Sequence, residues 1–230
     1  MIPKVIFKFD KEKDLENIWE TANAKDSYGQ SWKDRVTPNI IKMCKGKKYN
    51  DCKVELKKTM SYIHNNPVTD ITANLFSKGW EKIEKEYFER LQKMMKSPFY
   101  SKKVRAYLTT AGRCPYNPNS VPPSFYVTFF AGIPNILEIA GHELMHLHFH
   151  HSKYWKICEK EFGNKKTHDL KEALTVLLNL EFRDLWILED RGYPNHIELR
   201  KFISQQWKKE KNFDKLIDKS IKWIKKNGIK

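Results

Sequence analysis

Residues 134–151 have the sequence PNILEIAGHELMHLHFHH, which contains the pattern His142-Glu143-Leu144-Met145-His146. An α-helix turns by about 100° per residue, so two histidines four positions apart lie one turn above the other on the same face. This spacing lets both imidazole rings reach one zinc ion, while the glutamate between them can address a water molecule. The pattern therefore predicts a metal-binding helix over about residues 134–151.

The surroundings of the pattern favour metal binding over the alternative of two surface histidines on an amphipathic helix. A segment rich in aromatic and β-branched residues, 124–130, predicts a strand in front of it. The turn Gly132-Ile-Pro134 follows, and Pro134 suits the first turn of a helix. The helix itself is mostly apolar, so two histidines and a glutamate buried there without a partner would carry a large desolvation cost.

A catalytic zinc ion usually has three protein ligands and one water, so a third ligand is expected. The later side chains that can bind a metal are His148, His150, His151, His168, Asp169 and Glu172. His150 continues the row of His142 and His146, and three residues along one straight helix cannot converge on a tetrahedral ion. The longer pattern HExxHxxGxxH is excluded, because Phe149 and Ser152 stand where it requires glycine and histidine.

Glu172 is the preferred third ligand. It lies near the start of a second long helix, predicted over about residues 168–190, whose apolar run indicates that it packs inside the protein. A glutamate that projects from this helix towards the histidines would complete a His-His-Glu site. Two alternatives stay open: His168 as the ligand, and a capping role for Glu172 in the pattern Asp169-x-x-Glu172.

The predicted fold class is α+β and mostly helical, with a small sheet packed on the helix that carries the histidines. Residues 1–100 are predicted to form a helical N-terminal lobe, and residues 101–230 the metal-binding domain. Strands are predicted at about 5–9, 104–110 and 124–130. Helices are predicted at about 10–24, 50–64, 72–96, 134–151, 168–190, 195–210 and 212–226.

The 230-residue chain has a formal net charge of +15, which favours nucleic acid, an acidic partner or an anionic surface. Most lysines alternate with acidic residues, as in 80–90, which is typical of solvated helix faces; only 208–230 is consistently basic.

No apolar run reaches the about 18 residues of a membrane span, and no secretory signal is visible. A cytoplasmic protein with reduced cysteines is expected. The cysteines are Cys44, Cys52, Cys114 and Cys158.

Over roughly residues 103–190, the chain resembles the gluzincin branch of the zincin metallopeptidases. The resemblance rests on His142, Glu143 and His146 with Glu172 downstream. It implies that His142, His146 and Glu172 bind Zn²⁺ and that Glu143 is the general base. Val176 stands where the family has an acidic residue that supports a zinc-bound histidine. We expect one of three other residues to take over that support: Thr175, Asn179 or Glu138.

The expected function is that of a zinc-dependent peptidase, which hydrolyses peptide bonds with a zinc-activated water and Glu143 as base. A tyrosine or histidine is expected to stabilise the oxyanion. Tyr193 and His196 are the preferred candidates, ahead of Tyr154 and His168. An extended peptide substrate is expected to pair with the strand 124–130 at the sheet edge. The alternative is a non-enzymatic zinc-containing protein that binds nucleic acid or an acidic partner through its basic surface.

Overall fold

The computed structural model describes residues 2–229, in which a four-stranded sheet is surrounded by helices. The predicted fold class, α+β and mostly helical, is confirmed. The strands are β1 (Lys4–Phe9), β2 (Lys103–Thr109), β3 (Tyr116–Asn117) and β4 (Ser124–Thr128). The helices are α1 (Lys11–Asn23), α2 (Pro38–Cys44), α3 (Tyr49–His64), α4 (Val68–Glu81), α5 (Glu84–Met95), α6 (Ile133–His150), α7 (Lys153–Leu174), α8 (Val176–Glu181), α9 (Ile197–Lys209) and α10 (Phe213–Asn227). Within this part of the chain, no helix is long and apolar enough to cross a membrane.

The sheet has the strand order β1-β2-β4-β3, with the first three strands parallel and β3 antiparallel to β4. Alternate side chains of β1, such as Val5 and Phe7, are buried, as expected for strands covered on one face. The predicted strand at 124–130 is real but is not an edge strand, because β3 pairs with its outer side. Two residues are too few to produce an alternating pattern, so β3 could not be predicted from the sequence.

The first hundred residues do not pack separately from the rest. β1 pairs along its whole length with β2, from Lys4↔Lys103 to Phe9↔Leu108. Trp80 of α4 and Tyr87 of α5 belong to the same buried core as Leu144 of α6. The predicted N-terminal lobe of residues 1–100 therefore shares both its sheet and its main core with residues 101–230.

A second, smaller core lies between α1, α2 and α3 and is built on Leu15, Ile18 and Leu56. A buried carboxylate ties this core to the sheet. Asp14 accepts hydrogen bonds from the Thr109 hydroxyl (2.8 Å) and the Thr110 backbone N–H (2.7 Å). These bonds fix the end of β2, and with it the connection from β2 to β3 that lines the site described below.

Two predicted helices are each interrupted in the structure. The helix predicted over 72–96 is divided into α4 and α5 by a break at Lys82 and Ile83, and Glu84 at the start of α5 accepts a hydrogen bond from the backbone N–H of Val5 in β1. The apolar periodicity continues across this break, so a pattern search cannot detect it. The helix predicted over 168–190 instead begins at Lys153, changes direction at Gly163 (φ +80°) and ends at Leu174. After α8, the chain to residue 193 is irregular apart from a short 3₁₀ turn.

Gly141 allows α6 to pack closely against the aromatic core. A Cβ atom at this position would lie 2.6 Å from Trp186 Cη2 and 3.3 Å from Tyr87 Cε2. The Tyr87 hydroxyl also donates a hydrogen bond to the Gly141 carbonyl (2.5 Å). There is no space for a side chain between these groups, although Gly141 lies in the middle of a helix, where alanine is otherwise preferred.

We predict that Gly141→Ala destabilises the protein by about 1–3 kcal/mol, because the added methyl group overpacks the core. Chemical denaturation measures the free energy of unfolding. Gly79→Ala in α4 is the matched control, since its Cβ would meet Ile133 Cγ2 at an ordinary 3.4 Å. This control should be neutral or stabilising by up to about 1 kcal/mol. Equal effects of the two substitutions would contradict the packing argument.

Candidate metal centre

The helix α6 carries His142 and His146 on one face, as the spacing predicts. Their ring centroids lie 4.2 Å apart in an edge-to-face arrangement. His146 and Glu143 are buried, whereas His142 is half-buried. The three side chains line a cavity of about 800 Å³, so the two histidines face an open space rather than the packed core.

Glu172 approaches the histidines from α7, which packs against α6. Its Oε2 atom lies 3.0 Å from His146 Nε2 and 3.5 Å from His142 Nε2. The three ligand atoms all lie within 4.8 Å of one another, so they could hold a metal ion. His168, the alternative third ligand, lines the same cavity but is not part of this group.

The buried lysine Lys171 contacts the other oxygen of Glu172. Its Nζ lies 2.7 Å from Glu172 Oε1 and 4.4 Å from the centre of the Tyr116 ring. This ion pair occupies Oε1 and leaves Oε2 facing the two histidines. Sequence analysis did not identify Lys171. A signal was present, because a lysine inside the apolar run of a buried helix requires a counter-ion.

The acidic support for His142 comes from Asp190, in the connection between α8 and α9. The Asp190 Oδ2 atom lies 2.5 Å from His142 Nδ1, which leaves Nε2 directed at Glu172. Thr175 donates a hydrogen bond to Asp190 Oδ1 (2.9 Å), and Arg200 Nη2 lies 2.8 Å from the same oxygen. Asn179 holds the backbone of Asp190 through two hydrogen bonds of 2.8 Å.

The predicted support by Thr175, Asn179 or Glu138 is therefore corrected. Thr175 and Asn179 orient Asp190, and Asp190 orients His142. Glu138, one turn before His142, forms with His142 and Asp190 a second group of atoms close enough to share an ion. Asp190 could not be predicted from the sequence, because it lies in an irregular connection where no helical spacing relates it to His142.

Burial and contacts with neighbouring charged groups set the ionisation states of His142 and Glu172. Burial lowers the pKa of His142, but the Asp190 carboxylate outweighs this effect and raises that pKa well above its usual value. Burial raises the pKa of Glu172, whereas His146 and Lys171 hold it well below its usual value. The Glu172 carboxylate therefore stays ionised beside a protonated His142, and a metal ion would displace the His142 proton when it binds Nε2.

The environment of Glu143, unlike that of Glu172, favours the protonated carboxyl. Burial raises the pKa of its carboxyl to about 8, against the lowering effect of His142 and Lys171. Burial also lowers the pKa of His146 to about 3, so this imidazole is neutral and able to bind a metal. The His146 Nδ1 atom has no hydrogen-bond partner among the described residues, and its Nε2 faces only Glu172.

The two candidates for oxyanion stabilisation lie in different places. Tyr193 lines the cavity, and its ring stacks on that of Tyr28 with centroids 4.9 Å apart. His196 is fully buried, does not line the cavity, and its Nε2 lies 3.1 Å from Asp169 Oδ1. His196 therefore does not fit the predicted role of contacting substrate, because it is buried just before α9 and its ring packs against those of Tyr28 and Tyr193.

Comparison with known proteins gave no match. No family model matches the chain, and no curated protein or solved structure resembles it significantly.

We predict that Glu172→Ala sharply lowers the content of bound zinc, because two imidazoles alone hold the ion weakly. Zinc per protein chain is measured by mass spectrometry after dialysis against a weak chelator. Glu159→Ala, an exposed glutamate on the same helix, is the matched control and should leave the content unchanged. An unchanged zinc content in Glu172→Ala would exclude Glu172 as a ligand.

We predict that Asp190→Asn lowers zinc affinity by about 10- to 100-fold, since it removes the charge that orients and polarises His142. Competition with a fluorescent zinc chelator measures the affinity. The neighbouring exposed Glu189→Gln is the control. Arg200 keeps its hydrogen bonds to Thr175 Oγ1 and the residue-190 carbonyl (both 2.7 Å), and circular dichroism checks the fold. Equal affinities of the two variants would contradict the role of Asp190.

Proposed function

We propose that this protein is a zinc-dependent peptidase of the gluzincin type. In this proposal His142, His146 and Glu172 hold the ion, and Glu143 is the general base. One observation carries it: His142, His146 and Glu172 present ligand atoms within 4.8 Å of one another in an open cavity that Glu143 also lines. A purely structural metal site would have no need of a carboxylate base beside an open cavity.

The donor set fits zinc. Two imidazole nitrogens and one carboxylate oxygen are the ligands of many catalytic zinc sites, with bonds of about 2.0–2.2 Å. A tetrahedral ion with such bonds would hold its ligand atoms about 3.3–3.5 Å apart. Glu172 Oε2 lies 3.5 Å from His142 Nε2 and 3.0 Å from His146 Nε2, so these two pairs of ligand atoms are already near that separation. A catalytic site of this kind keeps its fourth position for water.

In the proposed hydrolysis, the zinc ion and Glu143 have separate roles. When bound, zinc lowers the pKa of water and polarises a carbonyl group. Glu143 accepts a proton from the attacking water and delivers it to the amine that leaves. Burial raises the pKa of the Glu143 carboxyl to about 8, so this carboxyl keeps its proton at neutral pH unless a cation bound beside it favours the ionised form that a base needs.

Tyr193 is the proposed donor to the oxyanion. Burial raises the pKa of its hydroxyl, so the group stays protonated and can donate a hydrogen bond throughout the neutral range. The proposed place of the substrate is corrected from β4 to β3. The strand β3 is the edge strand next to α6, and its Tyr116 lines the cavity. An extended peptide beside β3 would pass close to His146, whose ring centroid lies 5.4 Å from that of Tyr116.

The alternative, a nucleic-acid-binding protein without enzymatic activity, gains little from the basic C-terminal segment. Several of its exposed lysines form ion pairs with acidic side chains. Lys211 lies 2.7 Å from Glu181, and Lys225 lies 2.5 Å from Glu161. This pairing is typical of a solvated surface and reduces the charge offered to phosphates.

We predict that Glu143→Gln abolishes peptide cleavage, with a fall in kcat of at least about 10²-fold, because glutamine cannot accept a proton. Zinc content should be unchanged, since Glu143 is not a ligand. Hydrolysis of a fluorescence-quenched peptide library measures activity. The exposed Glu89→Gln on α5 is the control and should keep wild-type activity.

Two outcomes would contradict this function. Undiminished hydrolysis by zinc-loaded Glu143→Gln would remove Glu143 from the reaction. Hydrolysis by neither protein, together with nucleic-acid binding that declines steeply with salt concentration, would support the alternative.

A further inference from the structure

The mouth of the cavity carries cationic side chains on separate segments of the chain. Lys25 follows α1, and Arg35 ends the 3₁₀ turn Lys33–Arg35. Arg113 lies between β2 and β3, whereas Arg191 follows Asp190 in the connection to α9. Lys25, Arg35 and Arg191 are exposed, and Arg113 is half-buried. We call these four side chains the cationic rim.

Most acidic groups of the same cavity lie on its floor. Glu138 is half-buried, and the other three acidic residues of the floor, Glu143, Glu172 and Asp190, are buried. Two of the floor carboxylates already have cationic partners: Lys171 for Glu172 and Arg200 for Asp190. Glu20 is the one further acidic residue that lines the cavity within the described chain, 3.8 Å from Arg113.

The charge of the rim is largely unneutralised. The Arg113 guanidinium lies 5.8 Å from the centre of the Trp32 ring, and Arg35 Nη2 lies 3.4 Å from the neutral Gln30 side chain. Residues 2–229 contain no ion pair of Lys25, Arg35 or Arg191. Asp26 and Asp34 are neighbours of rim residues in sequence but do not line this cavity.

From this separation of charge we infer that the site takes acidic peptides, with Asp or Glu side chains on both sides of the bond to be cleaved. This inference rests on the proposed peptidase function and names its substrate class. A peptide lying over the floor would bring its side chains to the rim, where carboxylates meet unpaired cations and lysines or arginines are repelled. The net charge of +15 adds a long-range attraction for acidic chains.

The aromatic side chains of the cavity favour a peptide over a single-stranded nucleic acid. A nucleic acid of this kind usually needs open ring faces on which bases stack. Here Tyr28 stacks on Tyr193, the Lys171 ammonium lies over Tyr116, and Arg113 lies over Trp32. Each of these rings already has a partner on one face, which reduces the ring surface on which bases could stack.

Three fluorescence-quenched peptides test the inference. They share one central sequence and carry flanking Glu, Gln or Lys residues. We expect zinc-loaded protein to cleave them with kcat/KM in the order Glu, Gln, Lys. In the triple variant Lys25→Gln, Arg35→Gln, Arg191→Gln, the Glu-to-Lys ratio of kcat/KM should fall by about tenfold or more, because rim charges steer association.

The matched control is Lys57→Gln, Lys58→Gln, Lys78→Gln, which removes the same number of charges from exposed positions outside the cavity. Its Glu-to-Lys ratio should equal that of the wild type. Raising the salt concentration to 0.5 M should reduce the Glu-to-Lys ratio of the wild type. The electrostatic screening length is about 10 Å at 0.1 M salt and is shorter at 0.5 M, so the rim charges then act over a smaller distance. A fall in both triple variants would assign the preference to net charge alone and overturn the role of the rim.

Different experimental results would contradict the acidic-peptide inference and the proposed peptidase function. Glu143-dependent cleavage with no preference for the Glu peptide, or with a preference for the Lys peptide, overturns the inference alone. Absence of Glu143-dependent cleavage overturns the proposed function, and binding then decides whether the rim recognises acidic peptides. Zinc-loaded Glu143→Gln should bind a fluorescein-labelled Glu peptide more tightly than the Lys peptide. Equal binding, or stronger binding of a single-stranded oligonucleotide, overturns the acidic-peptide inference.

Discussion

The buried carboxylate of Glu172 is the group on which the rest of the site depends. A charge in this position must be fully paired, and Lys171, His142 and His146 surround it within 2.7–3.5 Å. This requirement holds α7 against α6 and fixes which oxygen faces the imidazoles. If Lys171 bound both oxygens, no oxygen would be left to face the histidines. The ion pair therefore serves the geometry of the site as well as the charge balance.

A second buried network, centred on Asp190, positions the side chains that surround Glu172. Asp190 fixes the ring of His142, and Arg200 and Thr175 fix Asp190. Gly192 leaves space for the Arg200 side chain, since a Cβ there would lie 2.6 Å from Arg200 Cζ. These contacts hold the irregular connection after α8 on one side of the cavity. It also carries Tyr193 and Arg191, so one segment combines metal support with the surface that substrate would meet.

Local signals made much of the fold and part of the site predictable from the sequence. The spacing of His142 and His146 is a property of one helix, and the apolar run around Glu172 placed it on a buried neighbour. Asp190, by contrast, meets His142 only after the chain has returned across 48 residues, and no periodic pattern describes that return. The edge strand β3 was missed because two residues carry no alternation, and the break between α4 and α5 was missed because the apolar periodicity continues across it.

The most direct test of the account is the anomalous scattering of zinc in crystals of the zinc-loaded protein, recorded on both sides of the zinc absorption edge. The account predicts one strong peak at about 2.0–2.2 Å from the Nε2 atoms of His142 and His146 and from a carboxylate oxygen of Glu172. A peak coordinated instead by Glu138, His142 and Asp190, by cysteine sulfur, or by no residue of α7 would contradict it.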